Sequence, residues 1–182
     1  MEKCFRQKLN VINEMSKNLY YILFLVVVSC TTTTVSEPDH IVNVVGEIFP
    51  DLEVDDPDFQ ICHPQKSTVQ YYAFGQKTYT GEKVAIEHYF REHFVPEQSN
   101  ESGLIRIRFV VNCQGETGRF RLLAMNTDYS PKEFSSTIST QLLQLTKNLK
   151  GWKAMKGRET YRDYYQYLIF KIENGNLIEI LP

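Results

Sequence analysis

The sequence predicts an α+β fold, with two helices packed on one face of a small antiparallel sheet behind an irregular N-terminal extension. Three observations predict it. Residues 104–123 alternate apolar and polar side chains on both sides of a Gln114-Gly115 turn, the pattern of a half-buried hairpin. Two segments, 80–96 and 130–151, repeat apolar residues at helical spacing. Residues 39–80 do neither: prolines at 50, 57 and 64 and the acidic run "DLEVDDPD" leave room only for short strands at Ile41–Val45 and Val69–Phe74.

The N-terminus reads as an address. Lys3, Arg6, Lys8 and Lys17 against Glu2 and Glu14 make it net positive, and the apolar run "YYILFLVVV" (Tyr20–Val28) follows. That run is about half the roughly 20 residues a spanning helix needs, so residues 1–29 are expected to be a secretory signal. "VVSC" closes it, a small residue before Cys30, which is similar to the lipobox of bacterial lipoproteins. The similarity implies cleavage before Cys30 and lipidation of its thiol; the other reading is an ordinary cut near Ser29 with a free thiol. Residues 30–38 are then a lipidated tether, 39–80 the irregular extension and 81–182 the regular domain.

About 150 residues remain after export, enough for one domain with a real core. The 42% apolar and 23% charged composition is that of a globular protein. A net charge of −2 argues against nucleic acid as an electrostatic partner. With Cys4 in the signal and Cys30 lipidated, Cys62 and Cys113 are left. In an exported protein they are expected to pair, closing a loop of about 51 residues worth about 4 kcal/mol in the chain-entropy account; the alternative is two buried thiols.

The first helix is expected over "TGEKVAIEHYFREHFVP", capped by Thr80, with Ile86, Tyr89, Phe90 and Phe94 on one stripe and Pro96 as the stop. Its His88 and His93 are five apart, so they leave opposite sides of the helix and suit solvent better than a metal; no metal or cofactor is expected. In the hairpin, Ile105, Ile107, Phe109 and Val111 face one way. The expected register sets Phe109 against Phe120, Ile107 against Leu122 and Arg108 against Arg121, with Arg106 and Arg119 flanking. These four arginines gather on the face away from the core, either solvated or ready for an acidic partner. Charge reversal at Arg121 is expected to relieve its repulsion with Arg108.

The second helix is expected from Ser130, with Pro131 at its first turn and Glu133 completing a capping box. Phe134, Ile138, Leu142, Leu145 and Leu149 make its buried stripe, and Gly151 ends it. A long aromatic strand, Tyr161–Ile172, then turns at Asn174-Gly175 into Leu177–Leu181.

"GLIRIRFVVNCQGETGRFRLL", the helix ending in "LKGWKAMKGRE" and the final "DYYQYLIFKI" together resemble the C-terminal domain of the TonB family. Ile105–Val111, Gly115 and Trp152 stand at the positions of the family's strand, turn and tryptophan motifs; Lys153-Ala154 replace its proline turn. The resemblance covers residues 81–182. It implies the fold and a capacity to bind an extended protein segment at an exposed sheet edge, which Leu177–Leu181 would cover if it paired there. The family's energy-transducing role needs a transmembrane helix and a proline-rich linker, and neither is legible here.

The expected function is a lipid-anchored periplasmic protein-binding or accessory module, linked to outer-membrane transport in a diderm bacterium. Its partners are the membrane, through Cys30, and an envelope protein, through Arg106, Arg108, Arg119 and Arg121. The alternative is a structural domain that pairs as a homodimer. No nucleophile, phosphate-loop or zinc-protease motif is present, so no catalytic residue is expected. A hydrolase acting through Asp55, Asp56 and Asp58 is the weaker reading.

Overall fold

The computed structural model describes residues 46–181, all within the unit Pro38–Pro182. The signal, Cys30, the tether and Ile41–Val45 lie outside the described residues. The fold is α+β. Its strands are β1 (Val69–Gln70), β2 (Gly103–Val111), β3 (Thr117–Met125), β4 (Met155–Lys156), β5 (Tyr161–Arg162), β6 (Tyr164–Glu173) and β7 (Asn176–Leu181). Its helices are α1 (Glu82–His93) and α2 (Ser136–Asn148). Five strands form one sheet in the order β1-β6-β2-β3, with β7 also on β6; β4 and β5 form a separate small ribbon.

The expected antiparallel sheet is in fact mixed. β1 runs parallel to β6 at Tyr164 and Tyr165, whereas β7 runs antiparallel to it from Ile169 to Glu173, so one edge of β6 carries two strands end to end. At the centre, β2 and β6 pair without a break over nine positions, Gly103↔Ile172 to Val111↔Tyr164. Alternation then sends Ile105, Ile107, Phe109 and Val111, with Leu168, Phe170 and Ile172, to one face. Ile86, Phe90 and Phe94 of α1 and its end, and Ile138, Leu142 and Leu149 of α2 and its end, close that face into the main core. Ile48, Phe59 and Ile61 of the extension pack on Val110 and Tyr165 of the opposite face. Helices cover one side of the sheet, and irregular chain covers part of the other.

The hairpin register is as expected at Ile107↔Leu122 and Arg108↔Arg121, but it shifts by one residue at Phe109. Arg119 and Phe120 together oppose Phe109, with Arg119 at φ 54°, so a β-bulge stands where a regular pair was expected. The Phe109 and Phe120 rings still stack, with centroids 5.0 Å apart. Gly118, beside the bulge, has Phe59 lying on it; a Cβ there would collide with that ring.

Both helix starts differ from expectation. Gly81, at φ 79°, precedes α1 and no side chain caps it, Thr80 included. α2 begins at Ser136, with Ser135 as its cap accepting from the Ile138 N–H. Residues 130–134 instead tie off the end of β3: Pro131 bridges Met125, and the Lys132 N–H donates to the Ala124 carbonyl at 3.2 Å. Proline can extend a strand end as well as open a helix, and the sheet contact wins. The aromatic strand is likewise cut at Asp163, which separates β5 from β6. The Asn174-Gly175 turn forms as expected, both residues at positive φ.

Leu142 is wholly buried at the centre of α2. Leu142→Ala is expected to cost about 2–5 kcal/mol, the range for a buried leucine. A urea titration checks this, and a change below about 0.5 kcal/mol would place the stripe outside the core.

Candidate functional site

The four arginines do not face open solvent. The extension crosses this face of the sheet, and its backbone accepts from Arg108, Arg119 and Arg121. Arg108 Nη2 donates to the Gly46 carbonyl at 2.8 Å and Arg119 Nη1 to the Ile48 carbonyl at 3.2 Å. Arg121 Nη2 donates to the Phe49 carbonyl at 2.7 Å. The Arg121 fork also grips Asp55 through both nitrogens, at 2.6 and 2.8 Å. Arg106 lies over the Tyr167 ring at 4.9 Å and Arg108 over Tyr165 at 5.6 Å.

The physical logic starts from burial. Arg108 is 4% exposed, and its register partner is another arginine. A buried guanidinium needs acceptors, and opposed like charges need a counter-charge. The acidic extension supplies both. Its loop holds the carboxylate in position by local hydrogen bonds. The Asp55 N–H donates to the Asp51 carbonyl at 2.9 Å, and the Asp51 N–H to Asp55 Oδ2 at 2.8 Å. The Arg121 hydrogen bond holds the Asp55 carboxyl below the usual carboxylate range, while the same bond raises Arg121. Burial lowers Arg106 and Arg108.

The middle of the extension is fixed covalently. Cys62 and Cys113 form a disulfide, Cα to Cα 5.9 Å, which ties the extension to the hairpin turn. Asp163 sits beside it, 3% exposed. Its Oδ1 accepts from the N–H groups of Cys62 and Cys113, each at 3.0 Å, and its Oδ2 from the His63 N–H at 2.9 Å. Asn112 completes the clasp, its amide donating to the Gln60 carbonyl and to Glu116.

Of the acids considered for hydrolysis, Asp55 is committed to Arg121, and Asp56 accepts from the Asp58 N–H. All three line one cavity of about 550 Å³ beside the hairpin turn. His93 stacks on Tyr89, and His88 lies near Glu92 on the exposed side of α1. Gly115 and Trp152, two residues that carry the family resemblance, do meet: a Cβ on Gly115 would stand 2.7 Å from the Trp152 carbonyl.

The sheet edges form a second candidate surface. β7 covers the C-terminal half of β6, so that edge is closed. β7 itself pairs with nothing on its outer side among the described residues. A groove of about 280 Å³ runs beside it, lined by Phe90, Phe94, Pro96, Ile178 and Ile180. Ile178 is 53% exposed. Sequence reasoning found β7 but not this groove, because the approach of α1 to β7 has no local signal. It also missed Asp163, whose only trace is a single acid inside an otherwise aromatic strand.

Asp55→Asn is expected to lower stability at pH 7 by about 1–3 kcal/mol, the range for hydrogen bonds to charged groups. The sign with pH follows from the depressed carboxyl. Its contribution is full above the unfolded value near 3.9 and is lost as pH falls through the lower folded value. The stability gap between the two proteins, followed by urea titration, is therefore expected to close below about pH 4. Arg121→Glu, expected from the hairpin alone to stabilise, would set a second carboxylate against Asp55 and is now expected to destabilise.

Comparison with protein-family models, with curated proteins and with solved structures finds no match to this chain.

Proposed function

We propose that the chain is an exported, lipid-anchored module of the periplasm, held at the outer membrane through Cys30, that binds an extended segment of an envelope protein. The observation that carries this reading is the unpaired outer edge of β7 beside a groove of mixed lining, where Phe94, Pro96 and Ile178 alternate with Glu87, Arg91 and Glu179. A strand edge offers a row of backbone donors and acceptors, and a neighbouring groove takes alternate side chains of an added strand. The resemblance of residues 81–182 to the TonB C-terminal family supports the same mode of binding. The arginine face is less suited to be the partner surface, because Asp55 and the carbonyls of residues 46–49 already lie on it. The basic, short apolar N-terminus ending at Cys30 supports the anchor. No helix among the described residues is long and apolar enough to cross a membrane.

A second reading, pairing of two copies through the same edge, draws on the same exposed Ile178, since an antiparallel edge can pair with itself. The two separate in one experiment. Ile178→Lys is expected to leave the melting curve unchanged and to abolish recovery of partners from envelope extract, with the protein monomeric at every concentration by size exclusion. Loss of a concentration-dependent dimer would favour the second reading, and undiminished capture of every partner would refute the edge as the site.

Cys30→Ala is expected to move the protein from the membrane pellet to the soluble fraction. Continued sedimentation with membranes would overturn the lipid anchor.

A further inference from the structure

We propose that Asp163 is a charge guard for the Cys62–Cys113 disulfide, protecting it from reduction by thiolates. Three observations carry this. A carboxylate oxygen of Asp163 lies within 4.8 Å of both sulfurs. The carboxylate is buried, and its hydrogen-bond partners are three backbone N–H groups rather than a side-chain cation. The two cysteine residues are only half-buried.

The chemistry is thiol–disulfide exchange. An external thiolate attacks one sulfur and forms a mixed disulfide, and the S–S bond breaks toward the other sulfur, which leaves as a thiolate. A second external thiol then displaces the mixed disulfide, so two external thiols become one disulfide and both cysteines end as thiols. Each step carries negative charge on the sulfurs. A fixed carboxylate within 4.8 Å raises the energy of that charge, in the attacking group and in the leaving group alike. Nearby cations lower thiol pKa values and activate such sites; Asp163 does the reverse. Its three N–H partners explain why it stays in place, since they satisfy the carboxylate without a cation that would cancel its field at the sulfurs. Asp163 acts here as a positioning and electrostatic residue, and the disulfide it guards is structural. While it is closed, the extension stays tied to the hairpin beneath the arginine cover.

The test uses the exported protein, with any remaining free thiol blocked beforehand by alkylation. Reduction is timed by mass-tagging with three thiols at matched thiolate concentration: cationic cysteamine, neutral 2-mercaptoethanol and anionic 2-mercaptoethanesulfonate. The ratio of the cysteamine rate to the sulfonate rate is expected to be about tenfold larger in the folded protein than in the same protein unfolded in urea. Asp163→Asn keeps a carbonyl for two of the three N–H groups but removes the charge. It is expected to return the folded ratio to the unfolded value and to speed reduction by the neutral reagent. A purely structural role would speed all three reagents alike and leave the ratio unmoved, which would overturn the proposal. Should Asp163→Asn not fold, the folded and urea-unfolded wild-type ratios decide alone, and equality between them would likewise overturn it.

Discussion

The nine-position pairing of β2 with β6 sets the terms for everything around it. β2 is buried at almost every position and β6 at most of its positions, so side chains of both faces are covered. On one face the side chains are aliphatic and aromatic, and two amphipathic helices are enough to close it. On the other, alternation places Arg106 and Arg108 among Val110, Tyr165 and Tyr167. A helix with an apolar stripe would leave those guanidinium groups buried without acceptors, at a cost that apolar contact does not offset. Irregular chain is the better cover, because its backbone carbonyls are not consumed by its own helix or sheet. The extension brings such carbonyls at Gly46, Ile48 and Phe49 and a carboxylate at Asp55. Its lack of regular structure is therefore part of how it works.

The β-bulge at Phe109 belongs to the same solution. By adding one residue to β3, it turns Arg119 toward the Ile48 carbonyl and keeps Phe120 stacked on Phe109 in the core. The extension is also tied at its middle by the disulfide and by the three N–H groups gathered on Asp163. A single buried acid joins the extension, the hairpin turn and the start of β6, three segments that are distant in sequence.

This arrangement redistributes the surfaces open to a partner. The positive face is largely met from within the chain, while the last strand adds a new edge in the act of closing an old one. An edge strand with an adjacent groove is better placed for docking than a buried charge cluster, since backbone pairing needs no displacement of existing ion pairs.

Elements whose signals are local were legible in the amino-acid order. Alternation in 104–123, the Asn174-Gly175 turn and the stripe through Ile138, Leu142 and Leu149 each repeat a pattern that burial on one face requires. The disulfide was legible by elimination among four cysteines. Helix starts were misplaced because Ser130-Pro131 satisfies the capping rules equally well in a strand-terminating bridge, and only the nearness of Ala124 and Met125 decides between them. The sense of β1, the bulge at Phe109, the groove beside β7 and the role of Asp163 could not be read. Each depends on segments distant in the chain meeting in space, as Asp163 meets Cys62 and Cys113. The arginine question shows the division most clearly. Sequence placed four like charges on one face and left them either solvated or ready for an acidic partner; that Asp55, 66 residues away from Arg121, meets them was decided by the tertiary path of the extension.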